Sequence, residues 1–91
     1  MQRVGETVEV SGAMTFAGAR ALLDRGADMV REGGRLFDLA AVTEVDSSGL
    51  AVVFGWSRAA AAAGQPLRIV NPPADLLSLA ELYGVTELLP V

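Results

Sequence analysis

The spacing of apolar residues switches between two and three-to-four along this chain, and each switch marks an element. Thr7-Val8-Glu9-Val10 alternates polar and apolar with β-branched residues, which predicts a half-buried strand ending at a Ser11-Gly12 turn. Met1 to Val4, separated from it by Gly5-Glu6, is expected to pair with it as a short hairpin strand. From Phe16 the apolar positions become Phe16, Ala19, Leu23, Ala27 and Val30, while Arg20, Asp24, Asp28, Arg31 and Glu32 take the other faces. That pattern predicts an amphipathic helix, closed by a left-handed cap at Gly33-Gly34. Gly26 inside it costs about 1 kcal/mol relative to alanine, so a kink or break is expected there.

Arg35-Leu36-Phe37-Asp38-Leu39 opens an extended segment reaching towards Val45, a candidate central strand because helices flank it. Asp46, Ser47 and Ser48 are three good N-cap residues directly before an apolar stretch, so a second helix should start there and run through the alanines to Gly64. Leu67 to Val70 reads as a short strand. Asn71-Pro72-Pro73 then initiates a third helix with proline in its first turn. Leu76, Leu77, Leu79, Ala80, Leu82 and Tyr83 supply its buried surface before Gly84 stops it. The order predicts an α/β fold: a mostly parallel sheet of about four strands, with an N-terminal hairpin strand and three main helices. At 91 residues it is expected to be one domain, 1–91.

Composition changes the picture mainly by removing chemistry. The chain is 52% hydrophobic and 20% charged, which fits a globular domain. No uncharged apolar run approaches the roughly 20 residues of a spanning helix, and MQRVGETVEV lacks the core of a secretory signal, so a cytoplasmic location without membrane insertion is expected. Cysteine, histidine and lysine are all absent, which excludes disulfides, thiolate and Schiff-base chemistry, Cys-based zinc sites and the commonest general base. Seven scattered arginines against eleven acids, a net charge of −4, make a nucleic-acid surface a poor fit. A non-enzymatic binding or regulatory module without a cofactor is what remains. Asp38, Glu44 and Asp46 are the one acidic set that could hold a divalent cation, provided the strand between them stays fully extended.

The most informative stretch is Asp46-Ser47-Ser48-Gly49. An acid, two hydroxyls and a glycine stand at a helix N-terminus, where free N–H groups and the helix dipole suit an anion, including a phosphate on Ser47 or Ser48. The same four residues also make a capping turn with no further role. Along the helix, Leu50, Val53, Phe54 and Ala61 form one apolar stripe for the sheet, and Val52, Trp56, Ala59 and Ala63 form another. The second stripe is a candidate partner surface anchored by Trp56, able to self-associate weakly; alternatively Trp56 tucks against the third helix or its neighbouring loop.

The segment from Glu44 to Asn71, with Asp46-Ser47-Ser48-Gly49-Leu50 at its helix start, resembles the centre of a STAS domain, the fold of anti-sigma factor antagonists. Leu79-Ala80-Glu81-Leu82-Tyr83 followed by Leu89-Pro90, together with the Gly5 to Phe16 opening, is similar to the narrower branch of MlaB-like subunits in Mla lipid-transport ABC systems. The resemblance implies a non-catalytic cytoplasmic accessory subunit that binds an MlaF-like ATPase in a complex with permease and substrate-binding subunits. Such a subunit lies peripheral to the inner membrane and helps maintain outer-membrane lipid asymmetry. The partner-binding residues implied are Asp46, Ser47, Ser48 and Gly49, joined by Val52, Trp56 and Ala59 from the second stripe. That branch often carries threonine where Ser47 stands, and serine matches the sigma-regulator pattern. The alternative is therefore an anti-sigma factor antagonist regulated by phosphorylation of Ser47.

Overall fold

A computed structural model describes residues 1–91 in the order β1 (Gln2–Val4), β2 (Thr7–Met14), α1 (Ala19–Arg31), β3 (Leu36–Val45), α2 (Ser47–Ala62), β4 (Arg68–Val70) and α3 (Ala74–Leu82). Single turns of 3-10 helix at Phe16–Gly18 and Thr86–Leu88 precede α1 and follow α3. The strands lie side by side in sequence order; β1 pairs antiparallel with β2, and β2, β3 and β4 run parallel. The expected α/β architecture, hairpin strand included, is the one observed. No helix is long and apolar enough to cross a membrane.

Burial alternates along the strands, and only one face of the sheet is covered. Val8, Phe37 and Ile69 sit opposite one another across β2, β3 and β4 and are all buried. The next row, Glu9, Asp38 and Val70, faces the other side and stays at least partly open to solvent. Helices therefore pack on the valine-phenylalanine-isoleucine face, where removal of apolar area from water supplies the main drive for folding.

One expectation about strand length gives way. β2 does not stop at Ser11-Gly12 but continues to Met14. Its pairing with β3 shifts between Glu9 and Ser11 and again between Gly12 and Ala13, each shift adding one residue on β3. One such bulge would turn the end of β3 inside out; two restore the parity, so Met14 and Val45 both point back into the core. At the first bulge the Asp38 carboxylate accepts the Ala40 N–H at 2.9 Å and the Asn71 side-chain amide at 3.0 Å, satisfying a backbone donor displaced from the ladder. Both bonds hold the Asp38 carboxyl below the usual carboxylate range, the one from Asn71 most strongly.

The helices also depart from their sequence patterns. α1 is unbroken through Gly26. Gly26 and Val30 form its buried line, with Leu22, Leu23 and Met29 packed alongside, whereas Phe16 lies ahead of the helix and is 82% exposed. α3 begins after Pro73, which is its N-cap and not a first-turn residue. It buries Leu76 and Ala80 and part of Leu79, leaving Leu77, Leu82 and Tyr83 outside. The three helices end alike, on a left-handed glycine at Gly33, Gly64 and Gly84, with the following N–H returning to the carbonyl five residues back.

Trp56 is the largest correction. It is fully buried, its ring lies 4.7 Å centroid to centroid from Phe37, and its indole N–H donates to the Leu22 carbonyl at 3.0 Å. A Cβ at Gly26 would overlap the indole nitrogen, so the glycine that reads as a weak point is the seat of the tryptophan. At an exposed helical position Gly→Ala stabilises by about 1 kcal/mol. Gly26→Ala is expected to destabilise by about 1–3 kcal/mol through overpacking, with a red-shifted tryptophan emission; chemical denaturation followed by fluorescence reads both. An unchanged or raised midpoint would contradict this packing.

Candidate functional site

The Asp46-Ser47-Ser48-Gly49 motif sits where β3 delivers the chain into α2. Asp46 has an extended backbone and is the N-cap; one carboxylate oxygen accepts the Ser48 N–H at 2.8 Å and the Gly49 N–H at 3.2 Å. The other oxygen accepts the Phe16 N–H at 3.0 Å, thirty residues away in sequence. The Asp46 N–H itself donates to the Met14 carbonyl at 3.2 Å. One residue thereby ties together the end of β2, the turn before α1 and the start of α2. The Phe16 N–H is the main reason the Asp46 carboxyl titrates below the usual carboxylate range; partial burial opposes it, and the Gly49 and Ser48 N–H groups add to the lowering.

This arrangement corrects one expectation. The first-turn N–H groups of Ser48 and Gly49 are already used by Asp46, so the helix end is not an open anion cradle. Gly49 is buried, and a Cβ there would overlap the Met14 carbonyl oxygen, which explains the glycine by close approach of α2 to β2. Ser47, the first residue of α2, is exposed, and Ser48 is half-buried. Of the four motif residues, Ser47 is the one to which the fold assigns no packing or capping task.

The structure gathers part of the expected partner surface and disperses the rest. Ser48 and Val52 meet Phe16, Ala19, Leu23 and Ala51 at a groove of about 480 Å³ between the Phe16 turn, α1 and α2. Val52 contributes little surface to it, being buried. Trp56 faces the core, and Ala59 is half-buried against it, so the proposed second stripe is not an exposed face, and the self-association expected of it loses its basis. The helix is apolar on two sides because it is covered on two sides, by the sheet and by α1. Phe16, Arg20 and Arg58 join the groove instead. Phe16, which the periodicity places on the apolar stripe of α1, lies ahead of it because Gly18 is the N-cap and the helix starts at Ala19. No group of three or more acidic side chains gathers at metal-ligand spacing, and the bulges of β3 break the extended run that Asp38, Glu44 and Asp46 would have needed.

A family model described as "Mlab, STAS domain" matches residues 1–90. The chain belongs to this STAS domain family. Among solved structures, the anti-sigma factor antagonist SpoIIAA in its unphosphorylated form is similar in fold, with a TM-score of 0.70 at 14% identity over 94% of this chain and 80% of that one. No curated protein matches. Membership of the STAS family marks the chain as a non-catalytic protein–protein interaction module.

Since the Asp46 carboxyl is lowered by folding, its contribution to stability is full above the unfolded-state value and is lost as pH falls through the folded-state value. Asp46→Ala is therefore expected to lower the denaturation midpoint at neutral pH and to flatten its decline between about pH 5 and about pH 2. A decline as steep as that of the wild type would mean that the tether to Phe16 and α2 is not formed.

Proposed function

We propose that this STAS domain is a phosphorylation-controlled binding module of the anti-sigma factor antagonist type, docking on its partner through the Ser47 end of α2. The observation that carries the reading is the exposed Ser47 in a frame held rigid on both sides, by Asp46 before it and Gly49 after it. A partner kinase would transfer the γ-phosphoryl group of ATP to the Ser47 hydroxyl, releasing ADP and the hydroxyl proton. The added charge of about −1.5 to −2 would stand beside the Asp46 carboxylate and could reach the Ser48 and Gly49 N–H groups only by displacing it. Phosphorylation thus acts by repelling the partner or by loosening the Phe16 tether, not by filling a ready-made phosphate site. The similarity to SpoIIAA supports this reading through the fold.

A second reading, the accessory subunit of a lipid-transport ABC complex docked on its MlaF-like ATPase, is favoured by the description of the matching family model. It uses the same helix end and needs no phosphorylation.

Ser47→Glu is expected to lose the cellular partner at least about tenfold while Ser47→Ala keeps it, and a phosphate-bearing fraction should appear in the intact mass of protein from its native cells. Purification of the tagged protein in mild detergent separates the two readings: a serine kinase supports the first, and an ATPase with its permease establishes the second. A Ser47→Glu variant that binds like the wild type overturns the switch.

A further inference from the structure

The groove beside the Ser47 end has a chemistry of its own. Its floor is Ala19, Leu23, Ala51 and Val52, and Phe16 stands exposed at its edge. Its charged lining is Arg20 and Arg58, with no acid, in a chain where eleven acids outnumber seven arginines. The ion pairs of the chain join Arg3 to Glu32, Arg20 to Asp24 and Arg31 to Asp28, so Arg58 has no carboxylate partner. A Cβ at Gly55 would come within 3.7 Å of an Arg58 terminal nitrogen, which places the guanidinium back along α2 over the missing side chain. Arg20 is bound only to Asp24 on its own helix, with both side chains more than half exposed, a pair that water screens and a stronger acceptor can replace.

We infer that this groove receives an acidic amphipathic segment of the partner protein, an apolar anchor seated on Leu23 and Ala51 with carboxylates meeting Arg20 and Arg58. The inference rests on the reading of the Ser47 end as the docking end, and Ser48 belongs to both. Charge complementarity selects the occupant. A basic segment would face two arginines without compensation, and an uncharged one would leave them unused, whereas guanidinium–carboxylate pairs flanking a desolvated apolar contact give affinity and register. An anionic lipid surface is disfavoured because recognition of that kind draws on clusters of about four to eight cations, and here there are two. An acidic occupant also gives phosphorylation its effect, since a phosphate on Ser47 adds like charge next to the groove wall.

The test is an unbiased selection of phage-displayed peptides on the full 91-residue chain, with binding sites of the enriched peptides mapped by amide NMR shifts. Enriched peptides are expected to combine Asp or Glu with aromatic or aliphatic residues and to perturb Phe16, Leu23, Ala51 and Arg58. Arg58→Glu should weaken them at least about tenfold, and Arg68→Glu, on the distant β4, should leave them unchanged. Enrichment of basic or uncharged peptides, a footprint elsewhere, no enrichment, equal binding to Arg58→Glu, or phosphatidylglycerol vesicles binding through Arg58 where peptides do not would each overturn the inference. The two proposals fail separately. If only the Ser47 switch is wrong, acidic peptides bind Ser47→Glu and wild type alike; if only the groove is wrong, Ser47→Glu still releases the cellular partner while Arg58→Glu does not.

Discussion

The indole of Trp56, resting on the bare backbone of Gly26 and against Phe37, sets the distance between α1, α2 and the sheet. Its one polar atom is satisfied by the Leu22 carbonyl, so the largest side chain of the core is buried without an unpaired donor. A side chain at position 26 would force the two helices apart, and the groove between them, with Phe16 and Arg58 at its edges, would change shape with that separation. The shape of the groove is thus fixed from the core outward.

At the other end of α2 the same economy appears in polar form. Asp46 caps the helix with one carboxylate oxygen and holds the Phe16 turn with the other, while its own N–H extends the ladder to Met14. Gly49 lets the helix come down on the Met14 carbonyl. These two residues are explained by the fold, which leaves Ser47 exposed and without a packing or capping task. A motif that reads as one unit along the chain separates into a structural pair and an exposed hydroxyl.

The sheet makes a related point about what a parallel arrangement needs. Parallel strands are usually covered on both faces, and here only one face carries helices. The outer rows answer this with Glu9, Asp38 and Arg68 beside partly shielded Leu36 and Val70, a mixed surface that water can wet. The C-terminal tail adds a bond from the Ile69 N–H to the Pro90 carbonyl at 2.6 Å, which occupies part of the β4 edge that would otherwise be open.

Local pattern by itself determined the order of the elements, the hairpin strand, the helix stops at Gly33, Gly64 and Gly84, and the N-cap region at Asp46, because capping, turn conformation and periodicity are settled within a few residues of chain. Resemblance in the Asp46 to Leu50 motif carried the family. Tertiary structure alone decided the direction in which Trp56 points, the role of Gly26, the exposure of Phe16 and Leu82, and the meeting of Arg20 with Arg58. A helix with apolar residues on two sides does not say whether its second side meets a partner or its own neighbour. Glycine in a helix looks like weakness until the atom that needs its space is known. The burial of Trp56 and the placing of Phe16 depend on segments thirty or more residues apart coming together, as Trp56 does with Leu22 and Asp46 with Phe16, and no local pattern records which surface will arrive there.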